Sequence, residues 1–210
     1  MRKAFAIMFV CVLALAAGAQ DGSHEYAPIK ERKIDYKNWT YKQTADDAPA
    51  VCLREWARDK KLALVVYFAP WCHNWHNEAP VVARLYEKYH PYGFDVIAVS
   101  EYGTPSDRQV FFHDHPVPYT VVVESDARDA RDKTTHYGYR QLTGDTRKWG
   151  SPYNIFLVPK KLKHDGDVLT EKAWVVNGEL VEAEAEKFIR KKLKLKAGDV
   201  PTNPPIPKQP

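Results

Sequence analysis

Cys72 stands where a thiol can be made reactive. It closes the segment Phe68-Ala69-Pro70-Trp71-Cys72, between a strand-like run and a helical one. At the start of a helix, unpaired N–H groups and the positive end of the dipole favour a thiolate over a thiol. A thiolate there is the nucleophile of disulfide exchange; the plain alternative is a buried structural cysteine. Three histidine-bearing segments surround this idea. Cys72 and His76 are four apart on one helical face, and His73 adjoins Cys72, which is spacing compatible with copper or zinc. His113, His115 and His136 lie on segments able to reach the same edge, while solvent-facing histidines are the simpler reading. Protonated, His73 or His76 would also favour the ionised thiol. The aromatics Trp71, Trp75 and Tyr153 are candidates for an apolar platform around the sulfur, and Trp75 is equally explained as a plug in the core.

The elements that must position these residues alternate between strand and helix. Leu62 to Phe68 is apolar without interruption and rich in β-branched residues, as a strand buried on both faces is. Pro70 ends it, and a helix is expected from Cys72 to Tyr89 with Val81, Val82, Leu85, Tyr86 and Tyr89 inward and Pro80 within it. Further strands are expected over 94–100, 119–123, 153–158 and 173–176, with helices over 106–113 and 182–195. Asp46 and Asp47 precede a helical stretch from Pro49 to Asp59 that places Cys52 and Trp56 on one face. Ahead of it, Ile34/Tyr36 and Trp39/Tyr41 alternate with polar residues around Lys37-Asn38, which reads as an edge hairpin. Asp126 to Arg147 is charged throughout and reads as a solvated face or loop.

Composition narrows the class. The chain has 210 residues, 44% hydrophobic and 28% charged, which suits one globular α/β domain with polar arms. A net charge of +4 without clusters of interleaved Lys/Arg and aromatics argues against a nucleic-acid binder. Three cysteines exclude a disulfide-dense miniature fold. Residues 1–19 read as a signal peptide: Arg2 and Lys3 lead an apolar run from Ala4 to Ala17, and Ala17-Gly18-Ala19 offers a cleavage site before Gln20. The run is too short to span a bilayer, and Val10 is bulky for a lipoprotein signal at Cys11. Cleavage leaves Cys52 and Cys72 in a periplasmic or secreted protein, with a net charge of +2. The expected organisation is an arm at 20–50, a domain at 51–197 and a proline-rich, disordered tail at 198–210.

The stretch Leu64 to Cys72, with its "FAPWC" end, resembles the thioredoxin-like superfamily and is also similar to protein disulfide isomerase domains. Glu78-Ala79-Pro80 and Gly93 to Ser100 resemble the exported TlpA-like branch. Gly150-Ser151-Pro152-Tyr153 and the strand after it resemble the segment carrying the family's cis-proline. Val175 to Leu180 and the last helix are similar to its final hairpin and cap. The resemblance covers residues 34–196. It implies a three-layer α/β fold, a central mixed sheet flanked by helices, with Cys72 as the reactive thiol and Glu78 as a carboxylate that either tunes the thiol's proton or caps the helix surface. It also implies a groove beside Pro152 where an extended peptide pairs with backbone.

One departure decides the functional expectation. In Cys72-His73-Asn74-Trp75 a tryptophan stands where the family has its second cysteine, the thiol that resolves mixed disulfides. Val66 stands where many relatives carry a buried acid, and Ala69 replaces the Thr or Ser of a peroxidatic motif. Cys52 lies on an earlier segment and is expected to be packed and unpaired rather than bridged to Cys72, since a bridge needs Cα atoms within about 7 Å. The expected function is redox-related through the single thiol Cys72, with a protein or small-thiol client held by mixed disulfide. The alternatives are a redox-inactive module that binds a peptide or partner in the groove, and a copper- or zinc-binding variant using Cys72 and nearby histidines. The residues assign no cofactor, no metal ligand set, no transmembrane span and no oligomeric state.

Overall fold

A computed structural model describes residues 24–199 except 46 and 197. The leader at 1–19 with Cys11, and the tail from 200 onward, lie outside the described residues. In chain order the first elements are β1 (Lys30–Lys37), β2 (Thr40–Gln43), β3 (Val51–Cys52), α1 (Leu53–Ala57) and β4 (Leu62–Phe68). There follow α2 (His73–Tyr89), β5 (Phe94–Glu101), α3 (Pro105–Asp114), β6 (Thr120–Ser125) and α4 (Thr135–Thr143). The chain ends with β7 (Tyr153–Leu157), β8 (Val168–Val176) and α5 (Glu182–Leu193).

The strands form one mixed sheet in the order β1-β8-β7-β4-β5-β6-β2-β3. β4 is parallel to β5, and β5 to β6, while β7 pairs antiparallel with β4 and β8 antiparallel with β7. Every residue of β4 is buried, because the sheet is covered on both sides. Leu62, Leu64, Val66 and Phe68 face a core with α2, α3 and α5; Ala63, Val65 and Tyr67 face a second core. That is the physical meaning of its unbroken apolar run.

Two expectations about the flanks are corrected. Residues 34–41 do not form a hairpin: β1 pairs with β8, whereas β2 pairs with β6 and β3. Alternation reported correctly that Ile34, Tyr36 and Trp39 are buried, but they close the second core, where Trp39 donates to the Tyr36 hydroxyl and Tyr36 bonds Tyr67 at 2.8 Å. The expected helix from Pro49 to Asp59 is shorter and starts later, with Cys52 closing strand β3 at the start of α1.

Residues 126–147 are not simply a solvated face either. They contain α4, capped by the Thr134 hydroxyl, which accepts from the Tyr137 N–H, and ended by Gly144 in the left-handed region. His136, Tyr139, Arg140 and Thr143 of α4 are buried against the second core. Charge density concealed this helix, since the buried Arg140 is neutralised by the equally buried Asp145 at 3.4 Å.

Candidate active site at the end of β4

The site forms where β4 gives way to α2. Cys72 is the N-cap residue of the 17-residue α2, in extended backbone, and its carbonyl accepts from the His76 N–H at 3.1 Å. Its N–H donates to Ala69 O at 2.9 Å, so the bend after β4 is itself hydrogen-bonded. The sulfur is half-buried and donates to Ser151 O at 3.3 Å. Ser151 reciprocates toward the same bend: its hydroxyl accepts from the Ala69 N–H at 2.9 Å. The Ser151–Pro152 peptide bond is cis. Two loops distant in sequence are thus locked together around one thiol.

Arg147 holds the second loop from behind. It donates to Ser151 O at 3.3 Å and Pro152 O at 2.8 Å, and is itself paired with Asp145 and with Glu25 of the N-terminal arm. Below the loop, His136 donates through Nε2 to Gly150 O at 3.1 Å and accepts at Nδ1 from the Tyr102 hydroxyl at 3.0 Å. Burial, and secondarily the charge of Arg140, push His136 down to about 3, so it is a neutral structural prop. Gly150 has φ of 61°, and a Cβ there would meet Arg140 Nε at 1.8 Å. Replacing Gly150 by Ala is therefore expected to destabilise the protein by about 2 kcal/mol or more, through left-handed strain plus displacement of a buried guanidinium. Chemical denaturation checks this; a loss under about 0.5 kcal/mol, the usual range for a surface change, would show that the loop yields freely.

The other sequence candidates divide. Trp71 is half-buried beside Cys72, its indole N–H donating to Tyr102 O at 2.8 Å. Trp75 and Tyr153 are fully buried and form no platform: Trp75 stacks on Phe68 at 4.5 Å and leans on Phe111 at 5.7 Å. The aromatic that joins Trp71 is Trp149, edge-to-face at 5.1 Å. Sequence reading passed over it, although it lies three residues before Pro152.

Glu78 does not cap the helix surface. It is buried, accepting from the Leu180 N–H at 2.6 Å and from Asn154 Nδ2 at 3.3 Å, while Oε1 has no hydrogen-bond partner. Desolvation outweighs those bonds and pushes its carboxyl up to about 8.

The histidines do not assemble. His73 is exposed, and His113 is exposed beside Asp114. His76 donates to Pro70 O at 2.9 Å, its ring meets that of His115 edge-to-face at 5.4 Å, and both line a recess of about 320 Å³. Among the described residues no group of three or more His, Cys, Asp or Glu side chains converges as a metal site. Cys52 and Cys72 are both free. Although desolvation opposes it, hydrogen bonds from the Glu55 backbone and from Asn38 lower Cys52 below the ordinary thiol range.

The same mixed-sheet architecture also occurs among solved structures. A thiol:disulfide interchange protein from Bacteroides sp. is 15% identical, covering 84% of this chain and 95% of its own, with a TM-score of 0.53. A thioredoxin-related protein from Neisseria meningitidis serogroup B is 18% identical over 72% of this chain and 97% of its own, TM-score 0.52. A thiol:disulfide interchange protein of the thioredoxin family from Chlorobium tepidum is 15% identical over 77% and 97%, TM-score 0.51. The fold is thioredoxin-like. At these identities the likeness is one of architecture. No protein-family model matches the chain, and no curated protein is similar to it in sequence. Among the described residues of this thioredoxin-like chain, no helix is long and apolar enough to cross a membrane.

Proposed function

We propose that this is an exported thioredoxin-like protein whose site has degenerated to one thiol, Cys72, and which is redox-related through mixed disulfides. The observation that carries the reading is the half-exposed Cys72 sulfur at the start of α2, 3.3 Å from the carbonyl that precedes cis-Pro152. In the reaction the Cys72 thiolate attacks one sulfur of a client disulfide. A Cys72–client disulfide forms, the client's own S–S bond breaks, and the second client sulfur leaves as a thiolate. Trp75 occupies the position of the family's resolving cysteine, so a second, external thiol must attack the mixed disulfide. That thiol becomes oxidised as Cys72 is released. His73, exposed on the first turn of α2, and His76, turned onto Pro70 O, flank the thiol. Glu78 is assigned to proton exchange with the site. Its burial keeps it protonated near neutral pH, and its hydrogen bond to Asn154 links it to the strand that follows Pro152. Export rests on Arg2, Lys3, the apolar run to Ala17 and the Ala17-Gly18-Ala19 site.

Incubation with glutathione disulfide followed by intact mass measurement tests the assignment. One glutathione adduct is expected on the wild type and on Cys52→Ser, and none on Cys72→Ser. An adduct that persists in Cys72→Ser, or a wild type that takes none, would overturn the redox role. Capture of a partner that survives in Cys72→Ser would favour non-covalent binding in the groove beside Pro152.

A further inference from the structure

The surface beside Cys72 is built of tryptophan faces overlaid by cations. The Arg128 guanidinium lies 4.4 Å from the centre of the Trp71 ring, and its Nε shares the Tyr102 carbonyl with the Trp71 indole N–H. Arg131 lies 5.4 Å over Trp149, and Lys148 approaches the same ring at 5.4 Å. Arg131 also donates to Lys148 O at 2.7 Å, which fixes these two cations relative to each other. Ion pairing hardly engages the group. Arg128 has only a loose contact with Asp107 at 3.8 Å, and among the described residues neither Arg131 nor Lys148 has an ion pair within 4.0 Å. Asp126 is held by Arg108 at 2.6 Å, while the exposed Asp129 and Asp132 alternate with Arg128 and Arg131 along the chain.

This arrangement is continuous with the thiol at both ends. Trp71 precedes Cys72 directly, and Trp149 stands two residues before Ser151, whose carbonyl takes the sulfur's hydrogen bond. Resting on the reading of Cys72 as the reactive thiol, we infer that its client is an acidic peptide segment, with Asp or Glu within a few residues of the client cysteine. The tryptophan edges bury the apolar part of such a segment, while Arg128, Arg131 and Lys148 meet its carboxylates. Charge complementarity of this kind acts chiefly on the rate of encounter and is screened by salt.

The test uses three short peptides with one cysteine as its 2-thiopyridyl disulfide, flanked by Glu, Gln or Lys. The Cys52→Ser protein confines reaction to Cys72. Cys72 forms a disulfide with the peptide sulfur, the bond to the pyridyl sulfur breaks, and released 2-thiopyridone reports the rate. The Glu peptide is expected to react about tenfold faster than the Lys peptide at low salt, with the ratio falling toward one near 0.5 M salt. Arg131→Gln with Lys148→Gln should cut the ratio about threefold or more, while the equal charge change Lys160→Gln with Lys172→Gln should barely move it. Equal rates for the peptides, or equal effects of the two double variants, would overturn the inference. If no peptide reacts, the thiol reading fails by itself. Binding of the serine version of the Glu peptide to Cys72→Ser then decides the surface separately: salt-sensitive binding lost with Arg131 and Lys148 supports it, and no binding overturns it.

Discussion

Trp75→Ala is expected to lower the free energy of unfolding by about 3–5 kcal/mol, the range for deleting a large buried aromatic. Against a total stability of about 5–15 kcal/mol, such a loss leaves the fold marginal. Trp75 is fully buried between α2 and the sheet, stacked on Phe68 and tilted against Phe111, which itself packs on Phe112 and His115. Truncation there removes contacts from α2, β4 and α3 together. Trp75→Phe is the discriminating partner. It retains most of the ring contact and removes an indole N–H that is buried without a hydrogen-bond acceptor. Its cost should stay near 1 kcal/mol, because the lost volume is offset by removal of the unsatisfied donor. Urea denaturation midpoints read both variants. A loss below about 1 kcal/mol for Trp75→Ala would mean that the side chain is not the plug its burial indicates. If Trp75→Phe keeps the wild-type rate of glutathione adduct formation, the tryptophan acts through the core and not on the client.

Glu78 makes the second large effect, and its sign follows from linkage. Its carboxyl titrates at about 8 in the folded protein, against an ordinary value of 4.5. Below pH 4.5 folded and unfolded chains both hold the proton, and the stability it contributes is fully present. As pH rises from there the unfolded chain releases the proton while the folded one retains it, so stability falls, by about 1.4 kcal/mol per pH unit, until the folded carboxyl ionises near 8. At pH 7 the loss is about 3 kcal/mol. Glu78→Gln keeps an oxygen for the Leu180 N–H and Asn154 and has no titration. The variant should gain on the wild type steadily between pH 5 and 8. Glu101 adds a fall of the same sign, since burial, and then the neighbouring Glu124, raise its carboxyl well above the usual range. The difference between variant and wild type isolates Glu78. Unfolding curves that stay parallel across pH 5–8 would show that Glu78 is ionised or solvated in the native protein.

The legible parts of this protein were those where one sequence interval does one job. The unbroken run Leu62 to Phe68 marked the central strand, and Pro70 with Cys72 marked its end, because a strand covered on both faces must be apolar at every position. α2, β5 and β7 followed for similar local reasons. The errors came where burial depends on a distant partner. Alternation at Ile34, Tyr36 and Trp39 reported which side is apolar but not which strand lies alongside, so two separate edge strands looked like a hairpin. The charged interval 126–147 concealed α4, because Arg140 is tolerable in the interior only with Asp145 folded onto it.

The site shows the same division. By itself the sequence determined that one thiol sits at a strand-to-helix bend, that a tryptophan and not a second cysteine stands three residues after it, and that a proline loop capable of facing the thiol lies much later in the chain. Only the tertiary structure decided what surrounds the sulfur. It brought Ser151 and Arg147 to the site, drew Trp75 and Tyr153 into the core, left Trp149 beside Trp71, and buried Glu78 and His136. The reason is physical: residue type and spacing set local backbone and intrinsic chemistry. Desolvation and hydrogen-bond partners, which decide whether a group is reactive, neutral or merely structural, arise only when distant segments pack.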